Sequence, residues 1–349
     1  MDASLSPPPR RWPFRVAMLV GFLVLLEGGA RLYRASHPPD EGIGYGYPEG
    51  LYTWNPFCEY GLLPGFHGFF EGEAFAAVPI DINEQGFRDD PFPDTKARGA
   101  LRVVFLGDSV TFGSGVPFKD RYTNLLPRKT RDGRPLECLN LAVNSYTSFH
   151  YVQQARHEVP RWDPDVVVVG MCLNDLKEKE TSWPRKWVRS PDGSYVGKYL
   201  LPESEQGFRS RDYSVFLDLW HEMHTRLKNR DAWRKWMGDL GEKWSNEELV
   251  ADLRHNLEML RDELASQNRR LIVLVLAELN DLHEPDRFAL PRVTSLALLD
   301  ELGIESLDVH AVFREAGDFD KLFLVGDSAH YSREGHTLLA RALAERLGA

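Results

Sequence analysis

From Leu101 onward, apolar runs alternate with segments of helical period. Five runs read as buried strands: 101–106, 136–143 (LECLNLAV), 165–172 (DVVVVGMC), 270–277 (RLIVLVLA) and 304–309 (IESLDV). Helix-period segments follow each, at about 119–130, 147–159, 247–267, 291–302 and 333–347. In the third, Leu249, Leu253, Leu257, Leu260 and Leu264 fall on one face. Strands that alternate with helices pair in parallel through right-handed crossovers. The pattern therefore predicts an α/β fold: a three-layer α/β/α sandwich on a five-stranded parallel sheet, flavodoxin-like.

The first hundred residues follow different rules. Val16 to Leu26 is uninterrupted and apolar, with Arg10, Arg11 and Arg15 before it. Continued to Tyr33, past Glu27 and Arg31, which lie one helical turn apart and can pair, the run nearly reaches the roughly 20 residues of a spanning helix. Two readings stand. One is an uncleaved membrane anchor; the other is a signal sequence with Gly28 and Ala30 as the small residues of its cleavage site. Both keep the arginines on the cytoplasmic side and put everything after residue 35 outside, in the periplasm or at the cell surface. Residues 35–98 are rich in glycine, proline and aromatics, and predict turns and short strands that wrap the main domain, with Asn83 to Arg88 (NEQGFR) as a turn packing Phe87. The expected division is an anchor or signal over 1–34, an extension over 35–98 and a catalytic domain over 99–349. Within that domain a helical insert, 177–246, interrupts the βα rhythm. It holds Trp183, Trp187, Trp220, Trp233, Trp236 and Trp244, which serve either as a lid that stacks on sugar rings or as packing for the insert.

Composition narrows the function. At 349 residues and 43% hydrophobic content the chain can bury one large domain plus an extension. A net charge of −10, with no long basic stretch in the body of the chain, argues against a nucleic-acid partner. Cys58, Cys138 and Cys172 have neither metal-ligand spacing nor the number for a disulfide framework.

The chemistry concentrates at strand ends. Val103 to Leu106 stops at Gly107-Asp108-Ser109, beyond the carboxyl end of the first sheet strand, where α/β sheets collect catalytic groups. A serine opening a helix there can be a nucleophile or merely a cap. A nucleophilic serine needs a base, a group to orient it and donors for the oxyanion. Asp-x-x-His occurs at Asp218/His221, Asp252/His255 and Asp327/His330. The first two lie in helix-like segments; only Asp327/His330 falls in a loop after the last strand, followed by Ser332 as the cap of the final helix. Ser145, in the turn after the second strand, offers a backbone N–H, and Asn174, at the tip of the third, a side-chain amide. Asn280 ends the fourth strand in nearly the same letters, and Asn174 is the better donor if strand three borders strand one. Asp108 is too near Ser109 to orient the base and is expected to brace the turn.

Gly107-Asp108-Ser109, the Asn174 turn and a C-terminal Asp-x-x-His, in that order, resemble the SGNH/GDSL hydrolase family over about residues 100 to 349. The Asn83–Arg88 segment and the apolar N-terminus resemble its membrane-anchored bacterial branch. The resemblance implies Ser109 as nucleophile, His330 as base, Asp327 as its orienter and Asn174 as an oxyanion donor. It also puts Ser145 where the family carries a glycine that donates through its backbone, and Cys172 where it usually carries another glycine. The implied activity is a serine ester hydrolase working through an acyl-enzyme, needing no metal or organic cofactor. The expected substrate carries a small acyl group, acetyl on a glycan. The alternatives are an O-acetyltransferase that passes the acyl group to an extracytoplasmic polysaccharide, and a non-catalytic glycan-binding or assembly protein.

Overall fold

The apolar run near the N-terminus folds as one 25-residue helix, Trp12–Ser36. Within it Phe14–Tyr33 is long and apolar enough to cross a membrane. An acid in such a helix must be given hydrogen-bond donors. Glu27 receives Arg31 Nε at 2.8 Å, Ser214 Oγ at 2.8 Å and the backbone N–H groups of Val215 and Phe216 at 3.1 and 3.2 Å. The computed structural model describes residues 12–36, 48, 50–72, 75–176, 186–189, 195–198, 214–217, 219–220 and 240–349. They fall into two units, Met1–Asp40 with Leu201–Asn229, and Glu41–Leu200 with Arg230–Ala349.

The second unit opens with the aromatic-rich extension. β1 (Tyr52–Asn55) and β2 (Glu59–Leu62) form a hairpin whose turn is held by Asn55 Oδ1, which accepts from the N–H groups of Phe57 and Cys58. β3 (His67–Gly72) and β4 (Phe75–Asp81) pair antiparallel. The Asn83–Arg88 segment then turns as expected. Asn83 Oδ1 accepts from the Gln85 and Phe87 N–H groups, and Phe87 is buried against Phe92 and Trp162.

β5 (Leu101–Gly107), β6 (Leu136–Asn140) and β7 (Val166–Met171) begin the main sheet. β8 (Lys186–Arg189) and β9 (Tyr195–Lys198) interrupt it and pair with the extension in the order β2-β1-β9-β8. Within the insert expected to be helical, these two stretches are strands. Two short runs with β-branched residues flank Pro191-Asp192-Gly193, which is hairpin sequence, and β1 supplies the edge on which they pair. Most of 177–246, with Trp183, Trp233 and Trp236, lies outside the described residues. β10 (Arg270–Val275) and β11 (Glu305–Asp308) complete a five-stranded sheet in the order β11-β10-β7-β5-β6, parallel throughout.

Alternation along these strands builds the two outer layers. Val104, Leu106, Val167, Val169, Val273 and Val275 face one core, shared with Leu253, Leu257, Leu260 and Leu264 of helix Glu247–Ser266. Val103, Phe105, Val166, Val168, Ile272 and Leu274 face the other, shared with Leu339 and Leu343 of helix Arg333–Leu347. The helix expected at 119–130 is reduced to a 3₁₀ turn, Phe118–Asp120, and a short helix, Tyr122–Leu125. Leu126 precedes Pro127 and is extended (φ −62°, ψ 147°), because the proline ring disfavours helical backbone before it. The 147–159 helix runs Ser148–His157 and restarts as Val159–Trp162, since Pro160 has no N–H to continue the ladder. The 136–143 run leaves the sheet at Asn140, yet Leu141 and Val143 still donate to Phe105 O and Gly107 O.

Candidate active site

The turn after β5 is built on close approach. A Cβ at Gly107 would lie 2.3 Å from Thr111 Oγ1, and one at Gly170, its register partner on β7, 2.1 Å from the same atom. Two facing glycines thus admit Thr111 and let the chain turn at once into helix Ser109–Phe112. Asp108 caps that helix: its Oδ1 accepts from Val110 N at 3.2 Å and from the Cys172 thiol at 2.9 Å. Cys172, in place of the family's glycine, is therefore part of the brace, and burial pushes its thiol well above the ordinary range.

His330 Nε2 stands 2.9 Å from Ser109 Oγ, and Nδ1 stands 2.7 Å from Asp327 Oδ2. The Asp-x-x-His loop explains the second distance. Asp327 Oδ1 accepts from the N–H groups of Ala329 and His330 at 2.8 and 3.0 Å, which closes the loop and leaves Oδ2 for the ring. Ser332 accepts from Gly335 N and starts the last helix. With Nδ1–H donated to the carboxylate, Nε2 carries the lone pair that can accept the Ser109 proton. Burial disfavours the imidazolium, but the Asp327 carboxylate, aided by Asp108, outweighs it and raises the His330 pKa above its ordinary value. Ser109 Oγ also lies 3.5 Å from Asp108 Oδ2.

The profile of the GDSL-like Lipase/Acylhydrolase family matches residues 105–338, which contain all three groups. The chain belongs to this family. As a GDSL-like acylhydrolase it is an ester-bond hydrolase. No curated protein matches it. Among solved structures it is similar to a lipase/acylhydrolase from Enterococcus faecalis, at 15% identity and TM-score 0.41 over 71% of this chain and 95% of that one. A catalytic mutant of an acetylxylan esterase from Geobacillus stearothermophilus is 16% identical, with TM-score 0.42 over 72% and 95%. A psychrotrophic esterase from Pseudoalteromonas sp. is 12% identical, with TM-score 0.41 over 71% and 96%.

The remaining predicted residues of this GDSL hydrolase sit on the neighbouring turns. Ser145 follows β6 with φ 61°, so the turn keeps a left-handed conformation that glycine adopts more cheaply. Asn144 before it donates from Nδ2 to Ser114 Oγ at 2.8 Å, and the Ser114 N–H goes to Ser109 O at 2.9 Å. Asn174 is half-buried on the turn after β7, the strand that borders β5. Asn280 lies on the short helix Leu279–His283 beyond β10. Asp252 and His255 are exposed on helix Glu247–Ser266, and Asp218 and His221 lie outside the described residues.

Several groups escaped the sequence reading. Asp175 Oδ2 accepts from Cys172 N at 3.1 Å and from the Tyr151 hydroxyl at 2.8 Å, and Trp244 Nε1 donates to Leu173 O at 2.8 Å. These bonds fix the turn that carries Asn174 and give one insert tryptophan a packing role. Glu278 is buried; that burial, then the charges of Asp327, Asp108 and Asp281, push its carboxyl well above the usual range. A hollow of about 220 Å³ opens elsewhere, lined by Trp54, Phe57, Tyr146, Gln153 and His157 among others. Ser109 and His330 are not in its wall, and its one thiol, Cys58, is pushed up to about 12 by burial and cannot serve as a nucleophile at neutral pH.

Proposed function

We propose that the protein hydrolyses esters through an acyl-enzyme on Ser109. The observation that carries this is the unbroken line Ser109 Oγ, His330 Nε2, His330 Nδ1, Asp327 Oδ2, with gaps of 2.9 and 2.7 Å. Ser109 Oγ attacks the ester carbonyl carbon while His330 Nε2 takes its proton, and Asp327 holds the imidazolium that results. The developing oxyanion is received by the backbone N–H groups of Ser109 and Ser145 and by the Asn174 amide; loss of one such donor typically costs about 10²–10³ in rate. His330 then gives its proton to the departing alkoxide. Water, deprotonated by the same nitrogen, attacks the acyl-enzyme and releases the carboxylic acid and free Ser109.

The substrate in this reading is a glycan bearing acetyl esters. Its support is the hollow of about 220 Å³ walled by Trp54, Phe57 and Tyr146, with the polar side chains of Gln153 and His157 in its lining. The helix Trp12–Ser36 anchors the chain, with Arg15 on its cytoplasmic side and residues after 35 outside. In this arrangement 35–98 is the extension and 99–349 the catalytic domain.

Labelling the full-length protein with a fluorophosphonate, and mapping the adduct, tests the nucleophile. The adduct is expected on Ser109 and is expected to vanish in Ser109→Ala together with p-nitrophenyl acetate turnover. Wild-type turnover in that variant rejects the assignment. Offering an acetyl donor with water and a polysaccharide acceptor then separates hydrolysis from transfer, and free acetate is the expected product.

A further inference from the structure

Arg88 closes the NEQGFR turn, far from Ser109 in sequence, and is only 2% exposed. Its Nη1 donates to Phe112 O at 3.1 Å and Gly113 O at 2.7 Å; Nη2 donates to Val116 O at 2.9 Å and Pro79 O at 3.0 Å. Two of these four acceptors, Phe112 O and Gly113 O, end the helix that Ser109 begins, and a third, Val116 O, closes the turn just beyond its cap. A helix of four residues, Ser109–Phe112, satisfies few of its own carbonyls, so its last turn depends on donors from outside. Gly113 sits at φ 84° as the left-handed cap, and the N–H groups of Gly113 and Ser114 both return to Ser109 O, at 3.0 and 2.9 Å. Ser114 Oγ in turn receives Asn144 Nδ2, one residue before Ser145.

We propose that Arg88 is a positioning residue for the hydrolase reaction: its guanidinium fixes the 112–116 turn, on which Ser109 leans from one side and the Ser145 turn from the other. The proposal rests on the reading of Ser109 as nucleophile. The fork itself is held from behind. Arg121, fully buried, donates from Nη1 to Arg88 O at 2.6 Å and pairs with Asp89 at 3.4 Å, while Asp89 accepts from Asn140 N at the end of β6. The Arg88 Cζ also lies 5.1 Å from the Phe112 ring centroid. Only a planar fork of donors reaches carbonyls of residues 112, 113 and 116 together; the point charge of a lysine does not. The extension is thereby more than a cover for the sheet. It supplies a part without which the nucleophile and the oxyanion donors lose their mutual spacing, and misplacement by about 1 Å costs on the order of 10² in rate.

The experiment uses the full chain with Arg88→Lys and Arg88→Ala. It measures kcat and KM for p-nitrophenyl acetate, the rate of fluorophosphonate labelling, and folding by circular dichroism. In folded variants kcat and the labelling rate are expected to fall about 100-fold with KM within about twofold. Guanidinium ion at millimolar concentration, far below denaturing levels, is expected to restore at least part of kcat to Arg88→Ala and none to Ser109→Ala. A folded Arg88→Lys with kcat near wild type overturns the proposal, as does a folded Arg88→Ala that guanidinium leaves unrescued. Should both variants fail to fold, Ser114→Ala decides: it cuts the link to Asn144 by one hydroxyl, and unchanged kcat and labelling there overturn the proposal. The two readings fail differently. A wild-type adduct away from Ser109 removes the nucleophile; an adduct on Ser109 that forms as fast in Arg88→Lys removes only Arg88.

Discussion

At Ser145 the backbone holds φ 61° although a side chain is present, which for an L-residue costs roughly 1 kcal/mol. Ser145→Gly should relieve that strain. It is expected to raise the unfolding free energy by up to about 1 kcal/mol and to leave kcat near wild type, because the proposed donor is the backbone N–H. Chemical denaturation and p-nitrophenyl acetate kinetics check the two halves, and a large loss of kcat would assign a role to the Ser145 hydroxyl instead. His330 gives the pH dependence. Burial works against its charged form, but Asp327 and Asp108 prevail and raise its pKa, while a base must be neutral to act. The acid limb of kcat/KM should therefore have its midpoint above the ordinary histidine value of about 6.5. In Asp327→Asn the midpoint should move down, and kcat should fall by on the order of 10⁴, since the amide no longer selects the Nδ1–H tautomer. The meeting of Ser109, Asp327 and His330 was legible in the sequence because each closes or follows a strand, and the Asp-x-x-His spacing suits a loop. The roles of Arg88, Asp175 and Trp244 were not, because each depends on a distant partner: Phe112 and Tyr151 lie 24 residues from Arg88 and Asp175, and Leu173 lies 71 from Trp244.

Among the elements, β5 and β7 meet at a pair of glycines that leave room for Thr111. Gly170→Ala puts a methyl group 2.1 Å from Thr111 Oγ1 and 3.5 Å from its Cβ, so the clash is with the hydroxyl. Overpacking of this kind typically costs about 1–3 kcal/mol. Thr111→Ala in the same chain should recover most of that loss, and a double-mutant cycle on thermal stability reads the recovery directly. Additive losses would show that the strain lies in the strand pairing and not in this contact. The five sheet strands and their parallel pairing were readable from apolar runs alternating with helical periods, whereas the bordering of strand three on strand one entered only as a condition. Element ends were not read as well. Pro127 and Pro160 cut two helices short through local backbone chemistry that apolar periodicity does not carry. The strands Lys186–Arg189 and Tyr195–Lys198 pair with each other, and they escaped because the edge on which Tyr195–Lys198 docks is β1, more than a hundred residues earlier.

For the molecule as a whole, a second histidine sets the response to acid. His336, buried on the last helix, accepts the Tyr122 N–H through Nδ1 at 3.3 Å. Burial, together with the charges of Arg121, His330 and Arg88, lowers its pKa to about 3. Below about pH 6.5 the unfolded chain binds a proton that the folded chain refuses, so stability drops by up to about 1.4 kcal/mol per pH unit. His330 has the opposite sign: its raised pKa contributes stability below about 6.5 that is lost as the pH climbs through the folded value. Urea midpoints measured from pH 7 to pH 5 should fall in the wild type and fall less in His336→Gln; equal slopes would show that His336 takes up its proton without unfolding. The same C-terminal stretch has a bearing on biosynthesis. Ser109 and the imidazole it meets are separated by 221 residues. At translation speeds of about 5–20 residues per second, the ribosome carries a chain with its serine already made for roughly 10–45 s before that imidazole exists. On the proposed mechanism the nascent polypeptide is inert toward esters throughout that interval, and it acquires its chemistry only when its closing segment docks.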